Sequence, residues 1–344
     1  MSPAAKSLST AVHTGGACAT TCHCLAALVL LLALPGVARP QAALASMPRT
    51  ADPYKISVSV SSVVLRATVE NHKGSLVSGL GKDDFQVYED GALQQIEYYS
   101  HEDIPVTVGL VLDNSGSMGP KRDVVIAAAM AFARSSNPQD QMFVVNFNEH
   151  VSFGLPADMP FTDQPAQLQI ALSKFKTKGE TALYDALAAA IEHLKVGNRD
   201  KKVLIVVSDG GDNASKYKLS QILAMAGQSD AIIYTIGIYT DEDPDQNPTA
   251  LRALSKATGG EAFFPQSIPD VVPVCEQIAH DIRNQYTLAY TPANRNSNGA
   301  YRAIQVKATA PGHGRMTVLT RAGYYAPAKP QALAPLAGSQ SDRP

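Results

Sequence analysis

Three hydrophobic periods divide this chain. Residues 54–101 alternate with period two: Ile56, Val58 and Val60 open the pattern, Phe85 and Val87 continue it, and Ile96 and Tyr98 close it. Such alternation buries one face of a strand and leaves the other wet. Asp90-Gly91 separates two of these runs. That dipeptide supplies the positive φ angles a tight hairpin turn demands, so a β hairpin is predicted there. Residues 286–325 return to strand patterns in "YTLAYTP", "YRAIQVKA" and "MTVLTRAGYY", separated by Asn-rich and Gly-Pro-rich turns. Neither flank is long enough for a comfortable core of its own. The segment 286–325 is therefore expected to pair with 54–101 in one β sandwich. The stretch 326–344 is rich in Pro, Ala and Ser and reads as a disordered tail.

Between the flanks the period changes. "VTVGLVLD" and "KKVLIVVSD" are near-continuous apolar runs, as strands buried on both faces require. "MFVVNFN" and "AIIYTIGIY" read as further strands, "VSFGLP" as a short edge strand and "EAFF" as another short one. Helical patterns fall between them: "KRDVVIAAAMAFAR", "PAQLQIALSKF", "ALYDALAAAIEHLK", "LSQILAMAG", "PTALRALSKATG" and "DVVPVCEQIAHDIRNQ". This alternation predicts an α/β fold, a doubly wound, mostly parallel six-stranded sheet, inserted in or flanked by the small β sandwich. In such sheets ligands gather at the C-terminal ends of the strands, where the strand order reverses. With the order 3-2-1-4-5-6, that point falls between the strand ending at Asp113 and the one ending at Asp209.

The N-terminus follows a different logic. Lys6 is the only charged residue before the apolar run Leu25–Leu34, and small-residue cleavage sites follow at Ala38 and Ala45. Residues 1–45 are expected to be a secretory signal peptide, cleaved after one of these alanines. Ten apolar residues ending at Pro35-Gly36 fall well short of the roughly twenty a spanning helix needs. No second apolar span follows, so the expected locations are periplasm, cell surface or medium. Cys18, Cys22 and Cys24 lie in this leader, leaving Cys275 alone in the mature chain, so no disulfide can form within it. Cys275 recurs at helical spacing with Val271, Val272, Ile278 and Ile282 and reads as a core thiol. The formal net charge is −2, with no basic block. Neither nucleic acid nor an anionic membrane is favoured as a partner.

Candidate chemistry converges from three places: Asp113-x-Ser115-x-Ser117, Thr181 where a loop enters a helix, and Asp209 in "VVSDGG". All five side chains offer oxygen, and none offers sulfur or imidazole. Such donors suit magnesium, manganese or calcium rather than zinc or copper. Only two of them are carboxylates, and magnesium usually keeps waters, so a coordination position is expected to stay open for an incoming acidic group. Gly116, Gly119 and Gly210 are expected to shape the loops. Asp185 and Asp212 are read as solvated or supporting residues, and Thr181 alone could equally cap its helix.

These five residues, in this order on this pattern, resemble the metal-ion-dependent adhesion site of a von Willebrand factor type A domain. The resemblance spans residues 103–285. It implies that Ser115, Ser117 and Thr181 approach a metal most directly, with Asp113 and Asp209 acting directly or through water. The chain departs from the family's frequent Thr-Asp-Gly, having Ser208-Asp209-Gly210. The flanking "VSGLGKDDFQVYEDGALQQIEYYS" and "QYTLAYTP" are similar to a secreted bacterial subfamily called VWFA-related. The implied function is divalent-cation-dependent binding of a protein ligand that presents an acidic side chain, with no enzymatic role.

Two other readings remain open. In one, the site only stabilises the loops of a periplasmic or surface scaffold. In the other, the chain is a metal-dependent hydrolase. Against the second, Ser115 stands where an aspartyl phosphatase needs its second aspartate, and Ser117 lacks a Gly-x-Ser-x-Gly elbow. His193 is read as a surface helix residue. The sequon Asn213-Ala214-Ser215 carries no role if the chain is bacterial.

Overall fold

The computed structural model describes residues 62–174, 176–239 and 246–327. The leader 1–45, the first run of period-two residues and the tail beyond Pro327 lie outside the described residues. Four strands come first: β1 (Val63–Asn71), β2 (Phe85–Glu89), β3 (Ala92–Gln94) and β4 (Tyr98–Ser100). The α/β region then runs β5 (Val106–Asp113), α1 (Arg122–Ser135), β6 (Gln141–Phe147), β7 (Val151–Phe153), α2 (Pro165–Ser173) and α3 (Leu183–Leu194). It continues β8 (Lys201–Ser208), α4 (Leu219–Gln228), β9 (Ala231–Gly237), α5 (Pro248–Thr258), β10 (Ala262–Phe263) and α6 (Val271–Arg283). Strands β11 (Tyr286–Tyr290), β12 (Tyr301–Ala308), β13 (Met316–Leu319) and β14 (Gly323–Tyr325) close the chain.

The central sheet has the order β10-β9-β8-β5-β6-β7, which is the doubly wound order expected from the sequence. All its pairings are parallel except that of the edge strand β7. Every residue of β5 is buried. Helices on both faces cover it, which explains why its sequence shows no alternation. Leu110 and Val111 of β5, Phe143 of β6, Leu187 of α3, Val206 of β8 and Ile278 of α6 belong to one core. Cys275 lies in it too, 2% exposed, and burial pushes its thiol up to about 12. It is a packing residue at physiological pH.

The two flanks form two antiparallel sheets, β13-β1-β11-β4 and β14-β12-β2-β3. Leu65, Val87, Leu288 and Val306, drawn from both sheets and both flanks, share one apolar core, so the sheets pack as a sandwich. β12 alternates exposed and buried along all eight residues, the pattern of a strand with one wet face. At the Asp90-Gly91 hairpin, φ is +48° and +81°, as the turn type requires. One reading changes: "MTVLTRAGYY" is not a single strand. Its first half pairs with β1 and its second with β12 in the other sheet, and Thr320-Arg321-Ala322 carries the chain across.

Both links between sandwich and α/β region lie together. Residues 101–105 lead from β4 into β5, and Asn284-Gln285 lead from α6 into β11. His101 Nε2 lies 3.1 Å from the Asn284 carbonyl oxygen, and Arg283 Nε donates to Asp103 at 2.7 Å. These contacts sit at the end of β5 remote from Asp113. The C-terminal ends of the central strands therefore point away from the links.

Candidate metal centre

Asp113 ends β5, and Asp209 follows the last residue of the adjacent β8. The two strands pair in register up to Leu112 and Val207, so the carboxylates emerge side by side. Ser115 donates its backbone N–H to Asp113 Oδ1 at 2.8 Å, and Ser208 Oγ donates to Asp113 Oδ2 at 2.6 Å. Ser117 Oγ donates to Asp209 Oδ2 at 2.7 Å and lies 3.1 Å from Ser115 Oγ. Gly211 donates its N–H to Asp209 Oδ1 at 3.1 Å. Four of the five sequence-predicted residues are thus joined in one hydrogen-bonded chain.

The fifth, Thr181, stands on the neighbouring loop. Its N–H donates to Asn213 Oδ1 at 2.9 Å, and its carbonyl accepts from the N–H groups of Asn213 and Ala214, both at 3.0 Å. The Thr181 loop is therefore fastened to the Asp209 loop. It is tied to the Ser115 loop as well, by Gly116 N–H to Gly179 O at 3.1 Å and Lys178 N–H to Asn114 O at 2.9 Å. Thr181 is not the helix cap: Ala182 holds that position in α3, with no side-chain capping bond. The capping alternative fails because the first-turn N–H groups of Tyr184 and Asp185 donate instead to Asp212 Oδ1 and Ser215 Oγ, at 3.2 and 3.1 Å.

Asp113 is 3% exposed and Asp209 4%. Among the described residues neither has a basic group at ion-pair distance, the ion pairs lying elsewhere. Burial pushes the Asp113 carboxyl up to about 6; hydrogen bonds from Ser115 and Ser208 oppose this, and Asp209 adds like-charge repulsion. A buried carboxylate pair held only by neutral donors is costly, because desolvation and repulsion act together.

The supporting residues are placed by the same loops. Asp185 Oδ1 accepts from the N–H groups of Lys216 and Tyr217 at 2.9 and 3.0 Å. Asp212 Oδ1 accepts from Tyr184 N–H at 3.2 Å and from Ser215 Oγ. Both carboxylates thus latch the loop after Asp209 onto the start of α3. Of the three glycines expected to shape the loops, only Gly210 is required. Its φ is +82°, and a Cβ there would stand 2.6 Å from the Asn247 carbonyl oxygen. A Cβ on Gly116 or Gly119 would meet its nearest neighbour at 3.6 or 3.5 Å, ordinary contact, so the strain argument fails for both.

Several residues were not singled out from the sequence. Ser208 bridges the strands, donating to Asp113 and accepting from Gly210 N–H at 3.0 Å. Its signal was the residue before Asp209. Buried Asn114 accepts from Arg122 at 2.6 Å and donates to Asn146 Oδ1 at 3.0 Å, fixing the loop's base from α1 and β6. Lys121 is fully buried below the site and donates to the Ile238 carbonyl at 2.9 Å. Nothing in the local pattern marks a lysine as buried. His193 keeps a half-exposed place on α3, where its ring lies 4.5–5.0 Å from those of Phe143, Phe153 and Phe161 and Nε2 lies 2.9 Å from Pro160 O.

Residues 108–211, which run from β5 through Asp209, match the von Willebrand factor type A domain family. Over that stretch the chain is similar to a von Willebrand factor type A domain. No curated protein matches it. Among solved structures it is similar to a von Willebrand factor type A protein from Catenulispora acidiphila, with 15% identity over 80% of this chain and 76% of that one and a TM-score of 0.47. It is also similar to the conserved hypothetical protein BatB from Bacteroides thetaiotaomicron (15% identity, 51% of this chain and 98% of that one, TM-score 0.41). A third is the vWF domain of the type V pili tip protein Mfa5 from Porphyromonas gingivalis (14%, 52% and 95%, TM-score 0.44). Among the described residues no three His, Cys, Asp or Glu side chains gather as a metal cluster.

Proposed function

We propose that this chain is an exported, non-enzymatic binding protein whose type A domain holds magnesium, manganese or calcium and thereby captures an acidic side chain of a protein partner. One observation carries the reading: two carboxylates are buried side by side, bridged by hydroxyls and without a basic partner among the described residues. The donor set fits a hard divalent cation, being all oxygen with two formal charges. Ser115, Ser117, Thr181, Asp113 and Asp209 are the residues that would hold it. When bound, the cation supplies a positive charge and an exchangeable coordination position to an anionic group. Ser208 and the Ser115 N–H orient Asp113, while the Gly211 N–H and Ser117 orient Asp209. The loops stand at the sheet end remote from the sandwich links, where an incoming protein surface meets no sandwich strand. No helix among the described residues is long and apolar enough to cross a membrane.

Thermal unfolding in EDTA, Mg²⁺, Mn²⁺ and Ca²⁺ tests the cation. Saturation at a hundred times Kd stabilises by about 2.7 kcal/mol, so the wild-type midpoint should rise clearly, and Asp113→Ala should not respond. An equal response in both proteins would refute the assignment. A pull-down with and without chelator then separates a binding module from a scaffold, since a scaffold loses only stability on chelation.

A further inference from the structure

A second feature lies far from the metal centre, at the N-terminal ends of β8 and β9. A cavity of about 980 Å³ opens there between the sandwich and the α/β region. It lies at the upper end of the roughly 300–1,000 Å³ of small-ligand pockets. Its walls carry four arginines, Arg66, Arg295, Arg302 and Arg321, against two aspartates, Asp200 and Asp230.

The four cations differ in how fully they are satisfied. Arg302 is consumed by the fold: it pairs with buried Glu89 at 3.1 Å and donates to the carbonyls of Asn294 and Asn296 at 2.5 and 2.6 Å. It serves as wall. Arg321 donates to the Ser229 carbonyl at 2.8 Å and reaches Asp230 only at 3.5 Å, where the aspartate side chain is 84% exposed. Such an exposed pair neutralises little. Arg66 is partly buried on β1, donates to the Thr287 hydroxyl, and has no carboxylate at ion-pair distance among the described residues. Burial pulls its guanidinium down to about 10, with Asp200 opposing more weakly, so it stays charged at neutral pH. Arg295 is exposed at the rim, also without a carboxylate at that distance among the described residues.

Guanidiniums without matched carboxylates, one of them largely desolvated, make a receptor for oxyanions, since each presents a planar fork of donors that fits a carboxylate or phosphate. We propose that this cavity is a second binding site, independent of the metal centre, for a ligand bearing two or more anionic oxygen groups, recognised by Arg66, Arg295 and Arg321. Small polycarboxylates, phosphates and acidic peptide side chains share this chemistry.

Isothermal titration of the full mature chain, stripped of divalent cations and dialysed into chelator-free buffer, tests it, with citrate, pyrophosphate and hexaglutamate as probes. Saturable binding of at least one probe is expected. It should weaken by about tenfold or more in Arg66→Gln, which removes a charge-assisted contact. Arg295→Ala, a surface change that leaves folding intact, should weaken it several-fold. Asp113→Ala should leave the affinity unchanged, which separates this site from the metal centre whatever that centre proves to be. Preference for hexaglutamate over citrate and pyrophosphate identifies a peptide source, and the reverse a small molecule. Absence of saturable binding by all three probes would overturn the proposal. So would an affinity that is the same in wild type, Arg66→Gln and Arg295→Ala.

Discussion

At the scale of single residues, the candidate centre trades stability for charge. Asp113 is buried, repelled by Asp209 and held by donors that are all neutral. Asp113→Asn removes the charge while keeping the shape, and the Ser208 hydroxyl can turn to accept from the new amide. In EDTA the variant should unfold at the same temperature as wild type or higher, because relief of a buried like-charge contact offsets a weakened hydrogen bond. Under saturating Mg²⁺ the order should reverse, wild type rising above the variant. Paired melting curves check this, and a variant that is less stable in EDTA would show that the carboxylate stabilises the fold without a cation. Ser208 adds a second lesson. Its hydroxyl bridges Asp113 and Gly210.

At the scale of elements, the sequence was most legible where burial is two-sided or periodic. "VTVGLVLD" became β5 with every residue buried, and the alternation in "YRAIQVKA" became the one-faced β12. It was less legible where tertiary contacts decide. "MTVLTRAGYY" is split between two sheets, and between its halves Arg321 donates to the distant Ser229 carbonyl. The partners of His193 were not legible either: it stays half-exposed on α3, and three phenylalanines from β6, β7 and the following loop pack beside it. The start of α3 offers a test of the same kind. A capping threonine replaced by alanine typically costs about 1 kcal/mol, but Ala182 holds the cap position here. Thr181→Ala should therefore lose no cap bond in EDTA, while it weakens the response to cations. Urea unfolding with and without Mg²⁺ distinguishes the two roles.

At the scale of the whole molecule, the sandwich and the α/β region meet along a seam rich in buried polar groups. Gln285 donates to Thr68 and to the Tyr234 hydroxyl at 3.1 and 3.0 Å, and Asp281 is 2% exposed with Oδ1 unpartnered among the described residues. Burial, with Glu70 adding repulsion, pushes Asp281 up to about 7, and burial likewise raises Glu261 to about 7. A carboxyl whose folded value exceeds its unfolded value of about 4 stabilises the fold fully below pH 4 and loses that contribution as pH rises through 7. Asp281→Asn removes the term. Its stability relative to wild type should therefore grow from pH 4.5 to pH 7.5 and level off above, as read by melting temperatures in EDTA across that range. A flat difference would place the charge elsewhere. The seam was invisible in the sequence because it joins residues from β1, β9, α6 and the loop before β10, which no local pattern connects. The candidate centre was legible for the opposite reason: each of its loops carries its own short signal, at a strand end or at a helix start. The central claim is that those loops together hold one divalent cation, and a Mn²⁺ titration followed by the paramagnetic resonance of the free ion tests it most directly. One ion should be withdrawn per wild-type chain, displaceable by Mg²⁺, and none by Asp209→Ala. No withdrawal up to about 1 mM, the weak end for oxygen-ligand sites, or equal withdrawal by the variant, would contradict the account.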